Sequence, residues 1–267
     1  MATTWTDAPG MTRREPSIRR IGGSDIGEAL ALGWRDFLAN PTQLVFLAIL
    51  YPIIGLVAAQ LAAGRELMPL FWPLASGFAL LGPVAALGIY ELSRRREQGQ
   101  PTRWTDALAV RHSPAITSIL GLGVLLLAIF VLWLFTARLI YGMTLGSTPD
   151  NATDFLSRVL YSREGHQLML LGNLAGFLFA ALVFSLTVVS FPMLLDRAGR
   201  GMPVTAGMAM RTSLRAVRAN PAPLALWAFV IALLLALGSL PLFVGLAVVV
   251  PVLGHATWHL YRRMVQD

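Results

Sequence analysis

Two histidines, His255 and His259, stand four residues apart near the end of a long apolar stretch. On a helix that spacing puts both imidazoles on one face, as in zinc-binding HExxH helices. The residues between them here are Ala256-Thr257-Trp258, which supply no glutamate base, and the chain has no cysteine to complete a ligand set. The pair therefore reads, with Trp258 and Tyr261, as an anchor at a membrane surface, and no metal or other cofactor is expected. Lack of cysteine also excludes thiol nucleophiles, disulfides and iron–sulfur clusters. No Ser-His-Asp order, P-loop or GxGxxG after a strand is present, so no catalytic residue is expected and the protein is not read as an enzyme.

A second set of polar residues interrupts the apolar runs: Asn173, Ser185 and Ser190, with Gln60, Ser76 and Thr187. Facing a bundle interior, they would hydrogen-bond between helices. The middles of these runs hold no Asp, Glu, Arg or Lys. Ion-coupled transport usually needs such a buried charge. A passive transporter or lipid-binding permease stays open as the alternative function, and a continuous polar cavity reaching Asn173 and Ser185 would distinguish it.

The elements that carry these residues follow from composition. The chain of 267 residues is 56% hydrophobic and 13% charged, with a mean hydropathy of +0.65. Ordinary soluble domains are roughly 25% charged. So apolar a chain is expected to be an all-α integral membrane protein. All 21 basic residues are arginine, and the net charge is +7. In a membrane protein that charge meets anionic head groups and sets orientation, so nucleic acid is not an expected partner.

Residues 1–20 are polar and lack the apolar core of a signal peptide, and they are expected to form a disordered cytoplasmic tail. Residues 21–267 form one membrane domain of three modules, about 24–96, 102–200 and 203–263. Each module begins with an amphipathic surface helix: Ser24–Ala39, with Ser24 as N-cap, then Thr102–His112, then Pro203–Ala219. Six spans follow in pairs, at about Leu44–Ala62, Leu70–Glu91, Ala115–Phe135, Leu168–Leu195, Leu224–Leu237 and Leu240–Gly254. The last two are parted only by Gly238-Ser239, and the fourth is long enough to require tilt. Between the third and fourth spans, Asp154 and Arg158 are placed to pair at i,i+4 on a short helix.

With six spans, 17 arginines fall on the side of the termini and 4 on the other. The positive-inside rule then places both termini in the cytoplasm of a bacterial inner membrane. Arg211, Arg215 and Arg218 make one stripe of the third surface helix. With Arg94, Arg95, Arg262, Arg263 and Trp258 they are expected at lipid head groups. The second and sixth spans also align 168 residues apart, with Pro83 on Pro251 and Arg94-Arg95 on Arg262-Arg263. That likeness implies three parallel copies of one module.

The stretches SFPMLLDR (Ser190–Arg197), TSLRAVRANP (Thr212–Pro221) and LPLFVGLAVVVPVLGHATWHLYRR (Leu240–Arg263) resemble a bacterial family of predicted integral membrane proteins of unknown function. The resemblance covers about Ile18 to Met264, and some members carry a cytochrome c oxidase subunit I-like label. It implies a six-helix inner-membrane protein with no substrate to carry over. The oxidase label needs six metal-ligating histidines, and this chain has four in all. The expected role is non-enzymatic, acting by membrane organisation or by contact with lipids, a membrane-protein partner or a second copy of the chain.

Overall fold

The computed structural model describes residues 15–39, 73–74, 77, 79–146, 149 and 152–266. These residues are almost entirely helical. Among the described residues, three helical stretches are long and apolar enough to cross a membrane: α4 (Ile116–Met143), the α6–α7 stretch (Arg163–Gly199) and α9 (Pro221–Ser239). Their outer faces present Leu120, Val124, Phe135, Phe177 and Phe229, all well exposed, as an apolar surface suited to lipid. The first expected span lies outside the described residues, and the second is described only in part. Its C-terminal portion consists of a 3₁₀ turn (Ala79–Leu81), then α2 (Gly82–Ala85) and α3 (Leu87–Glu97).

Several boundaries differ from the sequence expectation. The third span is longer than Ala115–Phe135, because α4 runs 28 residues, about 42 Å at ~1.5 Å per residue. The fourth is broken: α6 (Arg163–Thr187) ends before α7 (Ser190–Gly199) begins. Two local causes produce the break. Pro192 has no N–H to return to the preceding turn. The Ser213 hydroxyl also inserts into the helical ladder, donating to the Ser185 carbonyl (2.8 Å) and accepting from the Val189 N–H (3.3 Å). That serine replaces one backbone rung, a recognised origin of helix kinks.

The junction of the last two spans is longer than Gly238-Ser239. Helix α9 continues through Ser239, a turn occupies residues 240–245, and α10 begins at Leu246 and runs to Met264. Leu242 and Phe243 adopt positive φ in this turn. A Cβ on Gly245 would sit 2.8 Å from the Gly238 backbone, so only glycine lets the two chain segments approach this closely.

The segments expected as surface helices also shift. Helix α1 spans Gly23–Ala39, and Asp25, in its first turn, accepts the Gly22 N–H (2.9 Å), in place of a Ser24 cap. The second is a 3₁₀ helix, Trp104–His112. Asp154 and Arg158 pair at 3.7 Å on α5 (Ala152–Tyr161), as their spacing predicts. The third, α8, covers Ala206–Ala219 and is capped by the Thr205 hydroxyl on the Met208 N–H, so Pro203 precedes the helix.

The expected tail does not extend to residue 20. Ser17–Ile18 (β1) pairs antiparallel with Val265–Gln266 (β2), and the Arg19 N–H donates to the Met264 carbonyl (2.8 Å). This bridge ties the start of α1 to the end of α10. The two helices run in opposite directions, with Asp25 meeting Arg263 and Gly33 meeting Val252 and Ala256. A Cβ on Gly33 would lie 2.6 Å from the Ala256 amide nitrogen, which is why the backbones can touch here.

Candidate functional site

The chemistry-bearing residues converge where α1, α3 and α10 pack together. Helix α1 buries Ile26, Ala29, Gly33, Asp36 and Phe37, while Trp34 stays exposed. The i, i+3, i+7, i+10 and i+11 positions from Ile26 share one face, and Asp36 is carried inward on it. Opposite lie His255 and His259 of α10 and Ser93 of α3.

Asp36 is the hub. Its Oδ2 accepts from His259 Nε2 (2.8 Å) and from the Ser93 hydroxyl (3.0 Å), and its Oδ1 lies 2.9 Å from Arg96 Nε. The single Ser93 proton is committed to Asp36, so His255 Nδ1, 2.6 Å from the same oxygen, carries the hydrogen between them. Burial alone would raise the Asp36 carboxyl. The hydrogen bond from His259, the charge interactions with both imidazoles and the Ser93 hydroxyl outweigh it and hold the group below its ordinary value.

The His255/His259 pair thus faces a carboxylate through two different ring nitrogens. Arg96 already occupies that carboxylate as its cation. No group of three or more His, Cys, Asp or Glu among the described residues is disposed to hold a metal ion. The site is a mixed hydrogen-bond and ion-pair cluster.

Three further buried carboxylates flank it. Asp25 receives Arg263 Nη1 (3.0 Å) and Arg19 Nη2 (3.2 Å), while Arg263 also reaches Glu28. The Gly22 N–H bond chiefly, then the two guanidinium groups, hold the Asp25 carboxyl low against the opposing effect of burial. Glu91 is gripped by Arg94 through two parallel bonds (2.7 and 2.8 Å) and by Arg95 (2.8 Å). Asp196 of α7 accepts from Arg200 (2.6 Å), the Tyr261 hydroxyl (2.7 Å) and Arg262 (3.1 Å). Glu97 bridges the Trp258 indole N–H and Arg262, each at 3.0 Å.

These contacts correct part of the head-group assignment. Trp258 and Tyr261 are fully buried, so neither is a surface anchor. Tryptophan suits an interface because of its amphipathic ring, and here the same property serves an internal contact with Glu97. Arg94, Arg95, Arg262 and Arg263 are committed to internal carboxylates. Arg211 and Arg215 reach Glu15, at 3.4 and 2.8 Å, with much of each side chain in the open. Arg218 is exposed.

The polar-interior candidates separate as well. Asn173 lies on an exposed face of α6, Ser185 contributes its backbone carbonyl to the Ser213 insertion, and Ser190 is buried with its hydroxyl on the Leu186 carbonyl. Sequence reasoning missed Asp36 and Ser93 as partners of the histidine pair. A carboxylate on the same helical face as Gly33 was the available signal.

Residues 70–196 match the family described as a predicted integral membrane protein (DUF2189). The match includes SFPMLL and Asp196 but stops short of the two other stretches on which the sequence resemblance was drawn, so its extent is narrower than Ile18 to Met264. No curated protein and no solved structure matches the chain.

Proposed function

We propose that this integral membrane protein is a non-catalytic organiser of the bacterial inner membrane, working through contacts with lipid and with a membrane-protein partner or a second copy of itself. The observation that carries the reading is the fate of the four buried carboxylates, Asp25, Asp36, Glu91 and Asp196. Each is bound by arginine or histidine from a neighbouring turn or helix. Asp25, Asp36 and Asp196 so engaged are counter-ions that join one helix to another, Glu91 braces the last turns of its own helix, and removing either partner leaves an uncompensated charge. The rest of the exterior is apolar on α4, α6 and α9 and basic around α8.

The full topology of this reading has six spans in three parallel modules, with both termini cytoplasmic. Its support is the arginine asymmetry and the likeness of the second and sixth spans. A reporter fused after Asp267 tests the orientation: cytoplasmic fluorescence is expected, and alkaline phosphatase activity there overturns it. Absorption spectroscopy of purified protein tests the non-catalytic part. A haem Soret band or stoichiometric copper would refute it.

A further inference from the structure

Arg20 and Arg218 come from chain segments almost two hundred residues apart, yet they line one recess. Its other walls are Ile21, Ala219, Asn220, Pro221, Ala222 and Pro223, and its volume is about 370 Å³. We infer that this recess binds the phosphate group of an anionic phospholipid. The inference deepens the proposed membrane role and rests on it for the position of the recess at the bilayer surface.

The recess is built by Asn220, which is 2% exposed. Its Oδ1 accepts the Ile21 N–H (2.8 Å), and its Nδ2 donates to the Arg19 carbonyl (3.1 Å) and the Ala216 carbonyl (3.2 Å). One side chain thereby staples residues 19–21 to the α8–α9 junction and holds Arg20 beside Arg218. Neither arginine has an ion-pair partner among the described residues, unlike the arginines around Asp36 and Asp196. Two open guanidinium groups on a common wall are a phosphate-binding arrangement.

Position and lining choose the source of the phosphate. The recess lies at the first turn of α9, which is 19 residues long and apolar enough to cross a bilayer. A membrane helix places its first turn at the depth of lipid phosphates. Pro221 and Pro223 withhold backbone N–H donors and present apolar rings, so the arginines hold the phosphate while the prolines meet glycerol and acyl carbons. A free phosphate ion would use only the first of these walls.

The test uses full-length protein in nanodiscs of phosphatidylcholine doped with phosphatidylglycerol of the same acyl chains, and native mass spectrometry reads the retained lipid. Phosphatidylglycerol is expected to be retained preferentially. R20Q/R218Q is expected to weaken that retention more than tenfold, taking about fivefold per arginine near a membrane surface. R35Q/R111Q, which removes equal charge away from the recess, should retain the lipid as wild type does. Equal loss in both double variants, or no preference for phosphatidylglycerol, overturns the inference. So does displacement of the lipid by equimolar inorganic phosphate, which would make the recess a soluble-anion site. Sodium carbonate extraction is the parallel arm: protein released from the membrane would sink the membrane reading itself, whereas a carbonate-resistant protein without lipid preference sinks only this site.

Discussion

Asp36 shows how one residue takes its meaning from contacts that its sequence neighbours do not announce. It is the common acceptor for His259, Ser93 and Arg96. Asp36→Asn is expected to lower the thermal midpoint in detergent by the equivalent of about 2 kcal/mol, within the range for leaving buried charged hydrogen-bond partners uncompensated. Arg96→Gln should cost less, because the arginine side chain is 39% exposed and water screens its loss. The pH dependence follows from the direction of the shift. Asp36 and Asp25 titrate below their ordinary value of 3.8. Their stabilising contribution is therefore complete above that value and is lost as pH falls through the depressed ones. A melting series across that acid range should show wild type losing stability more steeply than Asp36→Asn. Parallel curves would remove Asp36 from the account.

At the scale of elements, close backbone approach decides which helices meet. Gly33→Leu would force a side chain against the Ala256 and Val252 backbone, which cannot yield as a flexible side chain can. The expected result is separation of α1 from α10, a cost at the upper end of the ~1–3 kcal/mol for overpacking, and faster proteolysis within residues 23–39. Gly27, on the same helix, has nothing within 4 Å of a built Cβ. Gly27→Ala should instead stabilise α1, by up to about 1 kcal/mol of helix propensity, and a loss at Gly27 would mean that its face is covered. The α6–α7 break makes a separate prediction. Ser213→Ala removes the hydroxyl that bridges Ser185 and Val189. A destabilisation of about 1–3 kcal/mol is expected in thermal denaturation, unless the backbone closes its own rung and α6 straightens.

Across the whole molecule, a lipid-facing shell surrounds α4, α6 and α9, while an ion-paired layer ties α1, α3, α7 and α10 together. Phe229, at the middle of α9, is 61% exposed. Phe229→Arg is expected to impair insertion of α9, since a central arginine costs about 2.5–3.5 kcal/mol on insertion scales. A glycosylation-mapping or protease-protection assay reads this directly, and unchanged insertion would argue that α9 does not face lipid. The contrast between the shell and the layer also explains why Arg94, Arg95, Arg262 and Arg263, although they follow apolar runs as positive-inside residues do, spend their donors internally.

The chain's apolar runs, their lengths and its arginine usage were sufficient to read an all-α integral membrane protein, because burial in lipid demands long helices whatever their neighbours do. The helices near Ser24–Ala39 and Pro203–Ala219 and the pairing of Asp154 with Arg158 were legible for a related reason: both depend on residues within a few positions of each other. What only the tertiary structure decided is where helical faces meet. The break at residues 188–189 needs Ser213 from another helix, the Asp36 cluster needs three elements at once, and the Arg20–Arg218 recess needs Asn220 to join two distant segments. The spacing of His255 and His259 put two imidazoles on one face. Which carboxylate that face would meet was decided by Gly33, whose missing side chain lets α1 lie against α10.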